Sequence, residues 1–495
     1  MSATAQDHIG FKLCLSDINR GIFLPKYYNP EITGRLQALR KTHNLALLGE
    51  LIEKNYVSVS AGDEIGKMAY GTGSIPFIRT SDISNWEIKT DAKQGVSEEI
   101  YEDYAKKQDV KVGDILFVRD GTYLIGQIAL VTSNDLPFLY QSHILKLRVL
   151  PKSPISASLL MASLSSPIVK RQIRCKQFTA DIIDTIGDRY KELALPIPKE
   201  IKVAEKITKE VDDLISERAR LCDKIRTIPY WVEGLINSPD DNISAELIPE
   251  TSEKGNIGFM RKFSSITNGI FIPKYYDPLL KEKLKILSKT HTLVSIAELV
   301  KNKIISWGTG IEIGKMAYGT GSIPFIRTSD ISNWELKGDP KQAVSAEIYE
   351  SNKQDVQAGD IFVVRDGTYL VGTSCILTDR DTKILYCGGL YKFRVENTDE
   401  IDPYLLLALL NSPIVRRQMR AKQFTRDIID TLGKRIFEVI LPIPKDADLR
   451  KQIASKTRQV ITTRVQLRDR TKEIAIEVEG VDSLPLEETE IIETA

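Results

Sequence analysis

At 495 residues the chain exceeds what one hydrophobic core can organise, so two or more domains are expected. Its 68 Lys and Arg balance 67 Asp and Glu, which excludes a global field as the source of any affinity for nucleic acid and leaves only local clusters. Five scattered cysteines (Cys14, Cys175, Cys222, Cys375, Cys387) lack Cys-x-x-Cys spacing, so neither a zinc site nor a redox pair is expected. The start MSATAQDHIG lacks the charged and apolar regions of a signal peptide, and no stretch approaches the roughly 18 apolar residues of a membrane span. A soluble, cytoplasmic protein is expected.

In chain order, every element of the first half returns in the second. Gly21 to Pro30, GIFLPKYYNP, recurs from Gly269 as GIFIPKYYDP. The 24 residues Glu64 to Glu87 recur unchanged as Glu312 to Glu335. GDILFVRDGTYLIG from Gly113 returns from Gly359, and SPIVKRQIRCKQF from Ser166 returns from Ser412. Short β-branched and aromatic runs between Gly, Pro, Asn and Asp predict strands and turns of a mainly β module. Helical stretches are predicted at 157–177 and 403–423, and a closing strand ends at LPIPK in each copy.

After LPIPK the period changes. Ala204, Ile207, Val211, Leu214, Arg218, Leu221 and Ile225 alternate three and four apart, and Ile453, Val460, Leu467 and Ile474 recur every seven residues. Either each helix packs on its own domain, or the two helices pair with each other; the narrow stripes favour pairing. The expected fold is therefore α+β: two tandem mainly-β domains (1–199 and 259–445), each followed by a long spacer helix (200–226 and 446–476), the helices antiparallel about a pseudo-twofold axis. Pro229, Pro239, Pro249 and Gly255 mark 227–258 as a linker, and an acidic tail over 477–495 is expected to be solvated.

Catalytic constellations are missing. Four histidines (His8, His43, His143, His291) show no metal-ligand spacing, and no G-x-x-x-x-G-K-[ST] or G-x-S-x-G appears. His43 and His291 read as structural. What remains are duplicated polar loops. Arg79, Ser81, Asp82, Ser84, Asn85 and Trp86, with Arg327, Ser329, Asp330, Ser332, Asn333 and Trp334, have the side chains that read base edges: Arg on guanine, Asn on adenine, Asp on cytosine. The same residues could simply satisfy local turns. Arg119, Asp120, Thr122 and Tyr123, with Arg365, Asp366, Thr368 and Tyr369, form a second loop, where an Arg–Asp pair could instead just stabilise the turn. Lys67, Tyr70 and Thr72, with Lys315, Tyr318 and Thr320, flank a Gly-Thr-Gly turn that could approach a phosphate or be a plain hairpin. The acid-free clusters Lys170, Arg171, Arg174, Lys176 and Arg416, Arg417, Arg420, Lys422 are phosphate-contact candidates, or merely a solvated basic face.

SIPFIRTSDIS, KVGDILFVRDGT, SPIVKRQI and ELALPIPK leading into a helix, each present twice, resemble the specificity subunits of type I restriction-modification systems over nearly the whole chain. The resemblance implies a non-catalytic subunit with two target-recognition domains held apart by antiparallel helices. It would bind double-stranded DNA and two adenine methyltransferase subunits, together with restriction/translocase subunits where these exist. S-adenosylmethionine, ATP and Mg would serve the partners, and no cofactor or metal is expected on this chain. A DNA-targeting subunit of a non-restriction, methylation-linked phage-defence complex is the alternative. Family members generally read two different half-sites, whereas identical loops under a twofold axis predict inverted repeats. The stretches 44–63 against 292–311, and 127–150 against 373–396, diverge most, and base contacts there would make the half-sites differ. A helix of about 25 residues spans roughly 38 Å, close to one DNA turn of about 34–36 Å.

Overall fold

The computed structural model describes residues 11–480 except 16–17, 19–20, 93, 122, 181–182, 244–258, 268, 368–369 and 427–428. Thr122, Thr368 and Tyr369 and the acidic tail beyond 480 lie outside the described residues, as does much of the expected linker.

Each half builds the same module. Its centre is a four-stranded sheet ordered Val57–Ala61, Ile144–Val149, Ile115–Val118, Ile128–Leu130, all neighbours antiparallel. Ile115–Val118 is buried along its whole length, which is why its sequence is continuously apolar and does not alternate. A second sheet sets Ile75–Ile78 between Gln94–Val96 and, in parallel, Leu139–Tyr140. His43–Leu47 pairs with the closing strand Ala194–Pro198. The second half repeats both sheets with Ile305–Thr309, Leu390–Val395, Ile361–Val364 and Ser374–Ile376, and with Gln342–Val344, Ile323–Ile326 and Leu385–Tyr386. The helical stretch at 157–177 is two helices, Ala157–Ser165 and Pro167–Lys176. Ser166 sits at ψ 148°, the extended conformation that a following proline imposes, and Pro167 starts the second helix.

The long helices run from Ile201 to Val232 and from Ala447 to Glu477. The first continues past Pro229, because the apolar run Ile228, Trp231 and Val232 is buried and its packing outweighs the hydrogen bond that proline removes. They pair antiparallel: Lys206 lies 3.7 Å from Glu477, Arg470 reaches Glu210, and Arg218 and Arg464 share the same carboxylates.

The two packing alternatives for these helices combine. Ile207, Val211 and Leu214 of the first helix enter the core of the first module, but Leu221, Ile225, Ile228, Trp231 and Val232 enter the core of the second. The second helix reciprocates, with Ile453, Val460 and Ile461 in its own core and Ile474 and Val478 in that of the first module. Each helix end is clamped by the opposite half: His43 Nε2 donates to Val478 O (2.7 Å) and His291 Nε2 to Val232 O (2.8 Å). A carbonyl can only accept, so Nε2 carries the proton, and Thr42 and Thr290 hydroxyls donate to Nδ1 at 2.8 Å. Glu479 and Glu233 accept the Ile168 and Ile414 N–H groups at 2.5 and 2.6 Å. Each of these helix-end hydrogen bonds has its counterpart with the halves exchanged, which defines the pseudo-twofold axis. The modules also touch directly, so helix length alone does not set their separation.

Candidate nucleic-acid interface

At the axis the identical run ends in a tight hairpin. Ile83–Ser84 pairs with Glu87–Ile88 through Asn85 and Trp86, both with positive φ (51° and 65°), as a type I′ turn requires. Asn333 and Trp334 match at 47° and 66°. Left-handed tryptophan is strained, and the conformation is held because both indoles are buried in the cores and both asparagines bond to the opposite half. Asn85 Nδ2 donates to Glu335 (3.1 Å) and its Oδ1 accepts Gly338 N–H (2.8 Å); Asn333 does the same with Glu87 (2.6 Å) and Thr90 N–H (2.8 Å). Arg218 lies 3.1 Å from Glu335 and 3.3 Å from Glu87, and Arg464 bridges the same two carboxylates. Burial would raise the Glu87 carboxyl, but Arg464 and Arg218 hold it below the usual range.

This placement corrects part of the reading loop. Asn85 and Asn333 bond to the other copy across the axis, Trp86 and Trp334 are buried in the cores, and Ser84 and Ser332 are buried beside them. Asp82 and Asp330 are buried turn-makers: their carboxylates accept the Arg79 and Arg327 N–H groups at 3.0 and 2.8 Å. Burial pushes the Asp330 carboxyl up. Ser81 and Ser329 line a cavity of about 120 Å³ between the halves, together with Tyr123 and Lys341.

The basic helices are corrected as well. Acids remote in sequence neutralise most of their charges: Lys170 pairs with Asp339 (2.9 Å) and Arg416 with Asp91 (2.6 Å) across the axis, and Arg417 with Asp277 (2.8 Å). Arg171 reaches Glu31, and Lys176 and Lys422 pair with Glu192 and Glu438 at 2.9 Å. Arg174 is spent on Gln177 (2.9 Å) and on Tyr123 O (3.3 Å). Arg420 alone of the eight is exposed and without an ion pair among the described residues. These residues hold modules and halves together.

The outer edge of each module keeps the remaining candidates. Strands 57–61, 75–78, 115–118 and 139–140 all deliver their C-terminal ends there. Asp63 bridges Gln141, Gln141 N–H donates to Ile78 O (3.0 Å), and Arg119 N–H donates to His143 O (2.9 Å). Lys67 and Lys315 are exposed on short turns beside Met68 and Met316, each 92% exposed, and Arg79 and Arg327 are half-exposed. None of the four cations makes an ion pair among the described residues. Tyr70 and Tyr318 are half-buried and lean on Phe77 and Phe325, with centroids 5.6 and 5.7 Å apart. Thr72 and Thr320 are structural: each donates to a carbonyl (Ala69 O, Ala317 O; 2.8 Å) and accepts an N–H (Ser97, Ser345; 3.0 Å). Gly73 is required by close packing, since a Cβ there would lie 2.4 Å from Val96 O.

Arg119 and Arg365 pair with the adjacent Asp120 (3.0 Å) and Asp366 (2.7 Å), the turn-stabilising alternative. Burial opposes the Asp120 charge, yet hydrogen bonds from Arg119, Thr185 and His143 keep its carboxyl below the ordinary range. Tyr123, at 38% exposure, has Lys341 of the other half 5.2 Å from its ring centroid, so the edge continues to the axis.

No family model and no curated protein matches the chain. Solved structures do. An S subunit of a type I restriction-modification system from M. genitalium aligns at 12% identity over 88% of this chain and 94% of that one, with a TM-score of 0.30. The HsdS subunit from Thermoanaerobacter tengcongensis aligns at 14% over 90% and 96%, TM-score 0.26. A chain of a type I R-M system solved for its complex assembly and conformational transition aligns at 14% over 88% and 97%, TM-score 0.25. The chain is similar to type I restriction-modification S subunits.

In this S-subunit-like chain the loops also bring together residues that sequence reasoning missed. Glu64, Ser142 and His143 cluster with Asp120 at the first edge. The signal was the divergence of 127–150 from 373–396, which marks where the copies differ but not which side chains face outward. Among the described residues no helix is long and apolar enough to cross a membrane, and no three His, Cys, Asp or Glu side chains converge as a metal site would need.

Proposed function

We propose that the chain is the non-catalytic, sequence-specific DNA-recognition subunit of a type I restriction-modification assembly. It directs two adenine methyltransferase subunits, and translocase/nuclease subunits where present, to a bipartite target; the partners use S-adenosylmethionine and ATP. The carrying observation is the reciprocal axis, which gives two modules of one construction, each with an edge that leaves an arginine and a lysine without an ion pair among the described residues. Double-stranded DNA has local dyads, so matched edges under one twofold axis suit inverted half-sites. The lysines suit phosphates and the arginines suit guanine edges. Co-expression with the neighbouring adenine methyltransferase and mapping of modified adenines tests this. The expected product is methylation within a two-part target separated by a nonspecific gap; absence of target-directed methylation in the presence of active methyltransferase refutes it.

A further inference from the structure

The two edges share Glu64 and Glu312, Arg79 and Arg327, and the Arg-Asp pairs, but not the loop between them. The first module has Ser142-His143 where the second has Gly388-Gly389. Ser142 donates its hydroxyl to Glu64. His143 Nδ1 lies 2.9 Å from Asp120 Oδ2, and because that carboxylate only accepts, the Nδ1 position carries the proton. Nε2 then points outward, 3.8 Å from Glu64, in a side chain 37% exposed. In the second module the Glu312 carboxylate lies over Gly388, where an added Cβ would meet its Oε1 at 2.7 Å. Glu312 is exposed and makes no hydrogen bond or ion pair among the described residues.

We infer that this loop makes the two half-sites differ at one base pair: Glu312 is free to accept from an exocyclic amine in the major groove, cytosine N4 above all, whereas Glu64, though also exposed, already accepts the Ser142 hydroxyl and has His143 Nε2 3.8 Å away. Around that position the half-sites match, since Lys67, Arg79 and their copies are the same. The inference rests on the DNA-reading proposed above and narrows it from a perfect to an imperfect inverted repeat.

The test is selection from a randomised duplex DNA library by the full-length chain, by S142G/H143G and by Glu312→Gln. Wild type is expected to enrich a two-part target with cytosine at that position in one half only, preferred roughly tenfold or more. S142G/H143G should place cytosine in both halves, giving a perfect inverted repeat, and Glu312→Gln should lose the preference in the second half alone. The unaltered preference of the opposite half shows that each variant is folded. A perfect inverted repeat from wild type, or a differing base pair indifferent to both substitutions, overturns the inference. Enrichment of no sequence by wild type overturns the DNA-reading itself, and this with it.

Discussion

The hairpins at the axis and the loops at the outer edges come from the same duplicated run, yet they satisfy their polar groups in opposite ways. At the axis, Asn85, Glu87, Asn333 and Glu335 bond to the other copy and to two fully buried arginines, leaving only Glu335 Oε2 of the two carboxylates without a hydrogen bond among the described residues. At the edges, Lys67, Arg79, Lys315 and Arg327 keep their charges without an ion pair among the described residues. A residue completed inside the protein has no hydrogen-bonding capacity left for a ligand, whereas one left incomplete at a surface does. The comparison teaches that sequence identity between copies has two separable causes, self-contact at the axis and equivalent exposure at the edges. Substitutions should therefore divide cleanly between stability and binding.

The largest effect is expected at the axis centre. Arg464→Ala leaves Glu87 and Glu335 buried with only Arg218 between them, and removing one partner of a buried ionic group typically costs about 3–5 kcal/mol. Denaturant unfolding should show that loss, together with separation of one cooperative transition into two as the halves uncouple. A loss below about 1 kcal/mol would show that the halves do not depend on this network.

Next come the hairpin tips. Asn333→Ala removes the cross-axis hydrogen bonds to Glu87, Ile88 O and Thr90 and puts a Cβ-bearing residue without a polar anchor at φ 47°. A loss of about 2–3 kcal/mol is expected, and Asn333→Gly should recover part of it by suiting the left-handed backbone. If glycine and alanine are equally damaging, the hydrogen bonds carry the effect and the turn conformation does not.

A smaller effect distinguishes the two helix ends. Glu479 is paired with Arg35, but at the equivalent end Lys283 makes no ion pair with Glu233, and burial pushes the Glu233 carboxyl up to about 7. A folded-state pKa above the unfolded value near 4.5 means that the folded protein holds the proton longer, so stability falls as pH rises from about 4.5 to about 7 and is level above. Glu233→Gln keeps an acceptor for Ile414 N–H without the charge. It should remove that pH dependence and gain at most about 2 kcal/mol at pH 8, with solvent screening at this half-buried group lowering the figure. Glu479→Gln should destabilise at neutral pH, because it strips Arg35 of its partner.

The duplicated modules and the antiparallel helices were legible because periodicity and repetition are properties of one chain read along its length. The direction of the polar loops was not. Arg-Thr-Ser-Asp-Ile-Ser-Asn-Trp has the same donors and acceptors whether it faces DNA or its own copy, and only the positive φ of Asn85 and Trp86, which no residue preference announces for tryptophan, separates the two. The basic helices misled for a related reason. Acids 140 residues away (Glu31 for Arg171, Asp277 for Arg417) or 325 away (Asp91 for Arg416) cancel charges that look unbalanced in a local window.

The smallest effect on stability is expected where the binding effect should be decisive. Arg79→Ala with Arg327→Ala removes two half-exposed guanidinium groups that make no ion pair among the described residues, so unfolding should shift by no more than about 0.5 kcal/mol. If these groups read guanine edges, the double variant loses discrimination at one position in each half-site while retaining its salt dependence. If they contact phosphates, affinity falls alike for all sequences and the salt slope drops by about one per lost contact. Lys67→Ala with Lys315→Ala is expected to give the second pattern, because a flexible ammonium fixes a position on the backbone without distinguishing bases. Opposite signatures from two pairs of cations on the same edge would locate the bases relative to the phosphates along it, arginine towards the groove and lysine towards the strand.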